Sequence, residues 1–311
     1  MSTGCFLPYV GLGSCLLHMN FVHEFAKKEG PVTILTFSKS LKDALQDDPN
    51  IKETILIQKF HKKIFDIFKL SKFLKNLNLR KIYIFKCSLR FYFAAKCAGI
   101  DAFSYPFYKK SELHLIKQAH DFTKKNLGIQ NCSTEPKLYV DQKKIQEAKK
   151  FIPQGKKNIL VAPSSSGPTT MWGENFFIDV MKRLDSKFDC FFIIAVDSTE
   201  KEKKIADKII SNFDKNKIIS LSDKTINQAI PIIACCNLSI SNDTSFQHLS
   251  CQLNVPVLIL RLDTPDAYSS YSKFQYSVFP EGYSEVTHNT RADPNLISTD
   301  KVFEKALDFL N

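Results

Sequence analysis

The sequence has no uninterrupted apolar window of ~18 residues, the length a helix needs to cross a bilayer, so no membrane-spanning helix is expected. Its N-terminus lacks a basic flank followed by an apolar core, which argues against a cleavable export signal and for a cytoplasmic chain. Low-complexity tracts are missing too, and 44% hydrophobic content over 311 residues is that of a globular chain long enough for two ordinary domains. The nine cysteines, Cys235 and Cys236 among them, show no metal-ligand spacing and mostly sit inside apolar runs, so they read as buried reduced thiols. Acidic residues are the scarcer charge: 32 against 43 basic ones leave a net charge of +11. That balance suits anionic partners such as nucleotides or lipid head groups. No RNA- or DNA-recognition motif accompanies it, so nucleic acid is not an expected partner.

What the chain does contain is one compact polar cluster between two apolar runs, residues 237–260, NLSISNDTSFQHLSCQLNVPVLIL. Residues 238–240 and 255–260 read as short buried strands, being β-branched-rich and bounded by Asn or Pro. A helix-length segment lies between them, with Asp243 or Thr244 as a natural N-cap whose side-chain oxygen can accept a first-turn N–H. A strand end leading into a helix N-terminus favours phosphate, because free N–H groups and the helix dipole both attract anions. Asp243, Thr244, Ser245 and, one turn on, His248 are therefore candidate ligand contacts.

Around this stretch, strand and helix patterns alternate. Residues 5–10 read as a strand, Gly11 and Gly13 as a turn, and the following amphipathic helix runs to about Lys28, with Gly30 as its stop. A glycine turn there suits close approach of a ligand or simple packing. PVTILTF and ETILIQ are strands flanking a helix that closes at Pro49, an order that implies a parallel sheet with helices on both faces. HKKIFDIFKLSKFLKNLN is amphipathic, with Ile64, Phe65, Phe68, Phe73, Leu74 and Leu77 apolar and lysines between them; a solvated basic face and a partner or membrane surface are both open. KIYIFKCSLRFYFAAKCAGIDAFSYPF reads as strand, helix and short strand, and HLIKQAHDFTKKNLGI as a helix whose His114 and His120 lack metal-ligand spacing.

The polar stretch 131–155, with Pro136, Pro153, Gly155 and one helix, holds the domain boundary, set at 150/151. A strand at 158–162 then opens a second α/β unit and runs into a Ser, Gly and Thr loop able to cradle phosphate, before a helix near Glu174. Two more strand–helix units precede 237–260. The tail STDKVFEKALDFLN is an amphipathic helix capped by Ser298 or Thr299, an element that can pack back on the first domain.

Asn-Asp-Thr, three residues, His-Leu and a Val-Pro-Val strand together resemble the donor-site signature of glycosyltransferase family 9, the ADP-heptose:lipopolysaccharide heptosyltransferases. The resemblance runs through nearly the whole chain in order. The opening resembles the family's Gly-Asp-x-Leu-Leu run, with Ser14 where the proposed base Asp stands, and Ser88 and Arg90 fall in a Ser-Leu-Arg-like helix start. The loop holding Ser164 and Ser165 resembles one ending Lys-x-Trp-Pro; Trp172 matches, while Thr170 replaces the Lys and Gly173 the Pro. Glu200 or Glu202 resembles the acidic residue near the nucleotide ribose; charge complementing the helix dipole is the other reading. Ser245 stands for the motif's Gly, and Asp263 for another Gly in the loop before Pro265.

The resemblance implies a GT-B-type α/β fold, two facing Rossmann-like domains with mainly parallel sheets, 1–150 serving the acceptor and 151–311 the nucleotide sugar. It implies inverting transfer of a sugar, heptose among the candidates, from a nucleotide-diphosphate donor such as ADP-heptose to a lipopolysaccharide-type or other lipid-linked glycan. The implied donor contacts are Asp243, Thr244, Ser245, His248, Ser164, Ser165, Thr170, Trp172 and Glu202. Gly11, Gly13, Ser88 and Arg90 would shape the acceptor side, and Ser14 and His18 are the catalytic candidates, Ser14 to orient the acceptor and His18, one turn on, either a substitute base or a helix-face residue pointing into the domain. Helix N-termini rather than a divalent metal would stabilise the leaving diphosphate, so no metal or cofactor is expected. The place of action would be the cytoplasm or the inner face of the cytoplasmic membrane, with peripheral contact to anionic lipid. A degenerate fold that binds sugar nucleotide or glycan without turnover is the second reading, motivated by Ser14, Thr170, Ser245 and Asp263.

Overall fold

The computed structural model describes residues 2–57, 66–106, 115–165 and 167–311, so the expectations on Ile64, Phe65 and His114 lie outside the described residues. The chain forms two compact units, Met1–Tyr139 and Val140–Asn311. Among the described residues no helix is long and apolar enough to cross a membrane.

The first unit runs β1 (Ser2–Leu7), α1 (Leu12–Leu16), α2 (Met19–Glu29), β2 (Val32–Thr36), α3 (Lys39–Ala44), β3 (Ile51–Leu56), α4 (Asp66–Lys75), β4 (Leu79–Ile84), α5 (Leu89–Cys97), β5 (Asp101–Ser104) and α6 (Leu115–Leu127). Its strands pair in parallel in the order β3-β2-β1-β4-β5. The winding therefore reverses between β1 and β4. Cys5, Phe6 and Leu7 of β1 and Ile82 and Ile84 of β4 are wholly buried, as expected of central strands covered on both faces.

The single helix expected after Gly13 is broken at His18. His18 N bonds to Cys15 O, three residues back, while the His18 ring Nδ1 takes the Ser14 carbonyl at 2.7 Å, the acceptor that a continuing helix would have used. Gly30 stops α2 as expected, with φ +84°, a conformation that costs glycine nothing.

The second unit runs α7 (Gln142–Ala148), β6 (Lys157–Ala162), α8 (Glu174–Lys187), β7 (Cys190–Ile194), α9 (Glu200–Ile210), β8 (Ile218–Ser220), α10 (Ile226–Ile233), β9 (Leu238–Asn242), α11 (Ser245–Gln252), β10 (Val257–Leu260), β11 (Gln275–Val278) and α12 (Thr299–Leu310). Its parallel order is β11-β10-β9-β6-β7-β8, reversing between β6 and β9. Helix α7 counts with this unit, where sequence reading closed the first domain at 150, because it packs on α10 and Lys144 Nζ donates to Asn227 Oδ1 at 3.0 Å.

Two further features concern the end of the chain. β11 is an additional edge strand, four residues long, that the sequence pattern does not announce. Helix α12 joins the second unit's own core, where Val302, Ala306 and Leu310 are wholly buried, Arg183 pairs with Asp300 at 2.8 Å and its guanidinium lies 4.3 Å from the Phe303 ring centre. Ser298 caps it by accepting from Lys301 N.

Candidate functional site

In open parallel sheets ligands bind beyond the carboxyl ends of the strands where the winding reverses. In the second unit that place lies beyond β6 and β9, which pair through Ala162 and Ser241. The loop leaving β6 and the turn leaving β9 are tied together there. Ser165 Oγ lies 2.9 Å from the Asp243 carbonyl and 2.7 Å from Thr170 Oγ1, while the Thr170 hydroxyl donates to Gly167 O at 2.8 Å. The single Ser165 proton is thus shared between two acceptors.

Asn242 is the clamp beneath this arrangement. Wholly buried, it accepts from Trp172 N at 3.1 Å and donates through Nδ2 to Pro163 O at 2.6 Å, fixing both ends of the loop. Trp172, expected at the donor, is 1% exposed; its Nε1 donates to Ile297 O at 2.9 Å and its ring stacks on Phe176. These contacts anchor the loop. Gly173 follows with φ +110°, a conformation closed to the proline expected there, whose φ is fixed near −65°.

Ser164 and Glu202 meet as a pair. Ser164 Oγ donates to Glu202 Oε2 at 2.8 Å and Asp197 N donates to the same oxygen at 2.7 Å, beside the N-cap Thr199 of α9. Burial, then the Glu202 charge, pushes the Asp197 carboxyl up.

The N-terminus of α11 differs from expectation. Thr244 holds the N-cap position with extended backbone, yet no side chain caps the first turn, and Asp243 Oδ1 accepts from Gln247 Nε2 at 3.1 Å. By contrast, α10 carries a full capping box from Thr225 and Gln228. The leading amides of α11, with Ser245 first, are therefore free of any side-chain cap.

His248, expected to touch the ligand, is 5% exposed with both ring nitrogens engaged: Nδ1 lies 2.6 Å from the Tyr271 hydroxyl and Nε2 lies 3.1 Å from Gln247 Nε2. Gln247 Oε1 accepts from Gln275 Nε2 at 2.7 Å, and Gln275 Oε1 accepts from the amides of Tyr271 and Ser272. Burial pulls His248 down to about 4, against the opposing pull of Asp243, so the ring is neutral at neutral pH. Through Gln247 it is linked to the Asp243 turn.

In the first unit the reversal lies between β1 and β4, and the candidate acceptor residues flank it. Gly11, Gly13 and Ser14 follow β1; Ser88 and Arg90 follow β4, at the N-cap and in the first turn of α5. Tyr9 bridges the two strand ends, donating to Phe85 O at 2.9 Å. At Gly11 an added Cβ would meet nothing within 4 Å and φ is −72°, so the fold itself does not require glycine there. His18, the candidate substitute base or inward-pointing helix residue, lies wholly buried, stacked on Tyr9 at 4.9 Å, with burial pulling it to about 4. It belongs to the core. Ser14 is half-buried and has no carboxylate partner among the described residues.

Sequence reasoning missed Gln247, Tyr271 and Gln275, whose partners lie up to 28 residues away and leave no local pattern. It also missed Arg261, for which a signal exists: a lone charge closing the apolar run VLIL.

Two parallel-sheet α/β domains, each with polar loops gathered where its sheet reverses, are the architecture of the GT-B-type glycosyltransferases. The family model described as glycosyltransferase family 9 (heptosyltransferase) matches residues 91–278, more than half of the chain, and the chain belongs to that family. Among solved structures it is similar to ADP-heptose lps heptosyltransferase II of E. coli, with TM-score 0.79, 16% identity, and coverage of 100% of this chain and 98% of that one. It is similar to a family 9 glycosyltransferase of Veillonella parvula DSM 2008, with TM-score 0.79, 15% identity and coverage of 99% and 96%. It also resembles E. coli heptosyltransferase WaaC with ADP, with TM-score 0.75, 12% identity and coverage of 99% and 99%. No curated protein matches the chain.

Proposed function

We propose that the second domain binds a nucleoside-diphosphate sugar at the β6/β9 reversal and that the sugar is transferred, with inversion at the anomeric carbon, to a lipid-linked glycan held by the first domain. The observation that carries this reading is the Ser165–Asp243 link, which sets hydroxyls of the β6 loop beside the uncapped N-terminus of α11. Small hydroxyls and leading amides suit phosphate oxygens, and the helix dipole favours the charge that grows on the diphosphate as its bond to the sugar breaks. Asp243, a carboxylate beside an anion, serves as acceptor for sugar hydroxyls, held in place by Gln247. Glu202, oriented by Ser164 and Asp197 N, is the residue for ribose hydroxyls.

Heptosyltransferase II is described as acting with ADP-heptose and WaaC was solved with ADP, so an ADP-linked heptose is the first donor to test here. On the acceptor side, Ser14 orients the attacking hydroxyl without being a base at neutral pH and His18 is buried and neutral, so the hydroxyl's proton passes to solvent as the nucleoside diphosphate departs. Turnover is therefore expected to be slow. The acceptor's lipid would be met at an anionic membrane surface by α4 and α5, whose exposed positions are Phe68, Lys69, Lys72 and Lys75 on one and Leu89, Phe93 and Lys96 on the other.

The test is incubation of the purified chain with ADP-, UDP- and GDP-sugars, with and without membrane lipid extract. A lipid product carrying the sugar in inverted configuration is expected. Neither binding nor hydrolysis of any of these donors would overturn the reading, and binding without product would favour a fold retained for binding alone.

A further inference from the structure

We propose that Arg261 is the cation of the donor site: it meets the diphosphate across the N-terminus of α11, and the nucleotide's phosphates displace Asp266 from it. The inference rests on the donor reading above and adds a residue to it.

The reversal is rich in hydroxyls and poor in positive charge. Neither the loop 163–173, PSSSGPTTMWG, nor the stretch 242–248, NDTSFQH, contains Lys or Arg. The fixed charge there is the Asp243 carboxylate, which repels a diphosphate. Hydroxyls and amides alone would have to offset two phosphate charges and that carboxylate as well. A cation would offset that carboxylate and add to the pull of the helix start, and the fold provides one directly after the neighbouring strand.

Arg261 follows β10 directly, and the last residue of β10, Leu260, pairs with Asn242. One step further along both chains, Arg261 stands beside Asp243, at the same edge of the sheet as the uncapped helix start. The charges of Asp243 and Asp266 oppose the downward pull of burial on the guanidinium, and the guanidinium in turn helps to lower His248. Its charge thus reaches both ends of the first turn of α11.

The side chain is fully buried and only one of its three nitrogens is used. Nη2 donates to Thr264 O and to Asp266 Oδ1, the latter at 3.0 Å, whereas Nε and Nη1 have no partner among the described residues. A buried guanidinium with two unpaired nitrogens is costly, because its charge and its N–H groups have given up water without replacement. Buried polar groups are nearly always paired, and an unpaired one calls for a ligand. Asp266 is a weak counterion, contacting through one oxygen with its side chain 48% exposed. Arginine's planar fork suits phosphate oxygens better than a single half-solvated carboxylate oxygen, so exchange of Asp266 for a diphosphate gains contacts. The segment that must give way, 262–268, holds Arg261 only through Thr264 and Asp266.

The experiment measures affinities of ADP, AMP and adenosine by calorimetry for the full chain and for Arg261→Met, Arg261→Lys and Asp266→Asn, each checked for folding by circular dichroism. Arg261→Met is expected to weaken ADP about 30-fold, with adenosine changed less than about two-fold, since one charge-assisted contact is removed. Arg261→Lys is expected to recover part of the ADP affinity. Asp266→Asn, which keeps the fold and removes the competitor, is expected to bind ADP about three-fold tighter than the unaltered chain. Equal losses for ADP and adenosine in Arg261→Met, or no loss, overturn the inference. If Arg261→Met does not fold, Asp266→Asn decides: unchanged or weaker ADP binding overturns it. An unaltered chain that binds ADP while the variants show no selective effect refutes this inference alone; an unaltered chain that binds no nucleotide refutes the donor reading with it.

Discussion

His248 and Tyr271 are joined by a 2.6 Å hydrogen bond with their rings nearly parallel, at 6°. Gln247 decides its direction. The amide nitrogen of Gln247 can only donate, so it gives one proton to His248 Nε2 and the other to Asp243 Oδ1; Nδ1 then carries the imidazole hydrogen and the tyrosine oxygen accepts. Tyr271→Phe leaves that N–H unpaired in a buried site. The expected cost is about 1–3 kcal/mol of stability, read as a lower urea midpoint with unchanged slope. A change below about 0.5 kcal/mol would show that the ring turns freely to another partner.

Acid should loosen the chain through two buried histidines. His18 and His248 are each pulled from an ordinary value of 6.5 to about 4, in both cases mainly by burial. The groups around His248 are Asp243, Arg261, Tyr271 and Gln247; those around His18 are the Ser14 carbonyl, Tyr9 and Phe85. Because the folded values are depressed, the unfolded chain binds protons first. The stabilisation is fully present above pH 6.5 and is lost as pH falls towards 4, by at most about 3 kcal/mol for each histidine. Urea midpoints at pH 7.5, 6 and 5 should fall steadily, and His248→Asn should flatten part of the slope. A constant midpoint over that range would contradict the burial of both rings.

Asn242 links the β9 end to both ends of the β6 loop through Trp172 N and Pro163 O. Asn242→Leu fills the same space and leaves both partners unpaired, at an expected cost of about 2–4 kcal/mol. Asn242→Asp keeps the acceptor for Trp172 N and sets a carboxylate oxygen against the Pro163 carbonyl, so it should also destabilise and should weaken nucleotide binding by misplacing Ser165. Nucleotide affinity within two-fold of the unaltered chain in both variants would mean that the loop is held elsewhere.

These residues show where the sequence was readable and where it was not. The parallel α/β order follows from short buried strands alternating with amphipathic helices, and both sheets formed as that pattern requires. Ser164, Ser165, Thr170, Asp243, Thr244 and Ser245 could be placed at strand ends because such ends are bounded by small polar residues. What each side chain does there could not be read, since it depends on contacts between distant segments. Thr244 looks like a cap and makes no cap bond, and the other candidate, Asp243, is drawn to Gln247 instead. Trp172 and His248 match a motif and are buried, one by the carbonyl of Ile297 and the other by Tyr271. The helix break at His18 likewise comes from a side chain taking a backbone acceptor, which no hydrophobic period records.

The exposed faces of α4 and α5 carry the remaining prediction. Phe68, 70% exposed, shares its face with Lys72 and Lys75 at helical spacing, and Leu89 and Phe93, 52% and 50% exposed, share theirs with Lys96. The two helices pack on one another, and neither carries an exposed acidic residue. Aromatic side chains entering the head-group region and lysines above it are the chemistry of binding to an anionic bilayer, each lysine contributing about 1 kcal/mol near such a surface. Vesicles of phosphatidylglycerol should sediment with the protein and vesicles of phosphatidylcholine should not, and 0.5 M salt should release it. Replacing both Phe68 and Phe93 by Ser should lower binding at least about tenfold, because each removes apolar area worth roughly 1.5 kcal/mol or more on burial, while leaving ADP affinity unchanged. Equal sedimentation with neutral and anionic vesicles, or none with either, would remove the membrane surface from the proposed function.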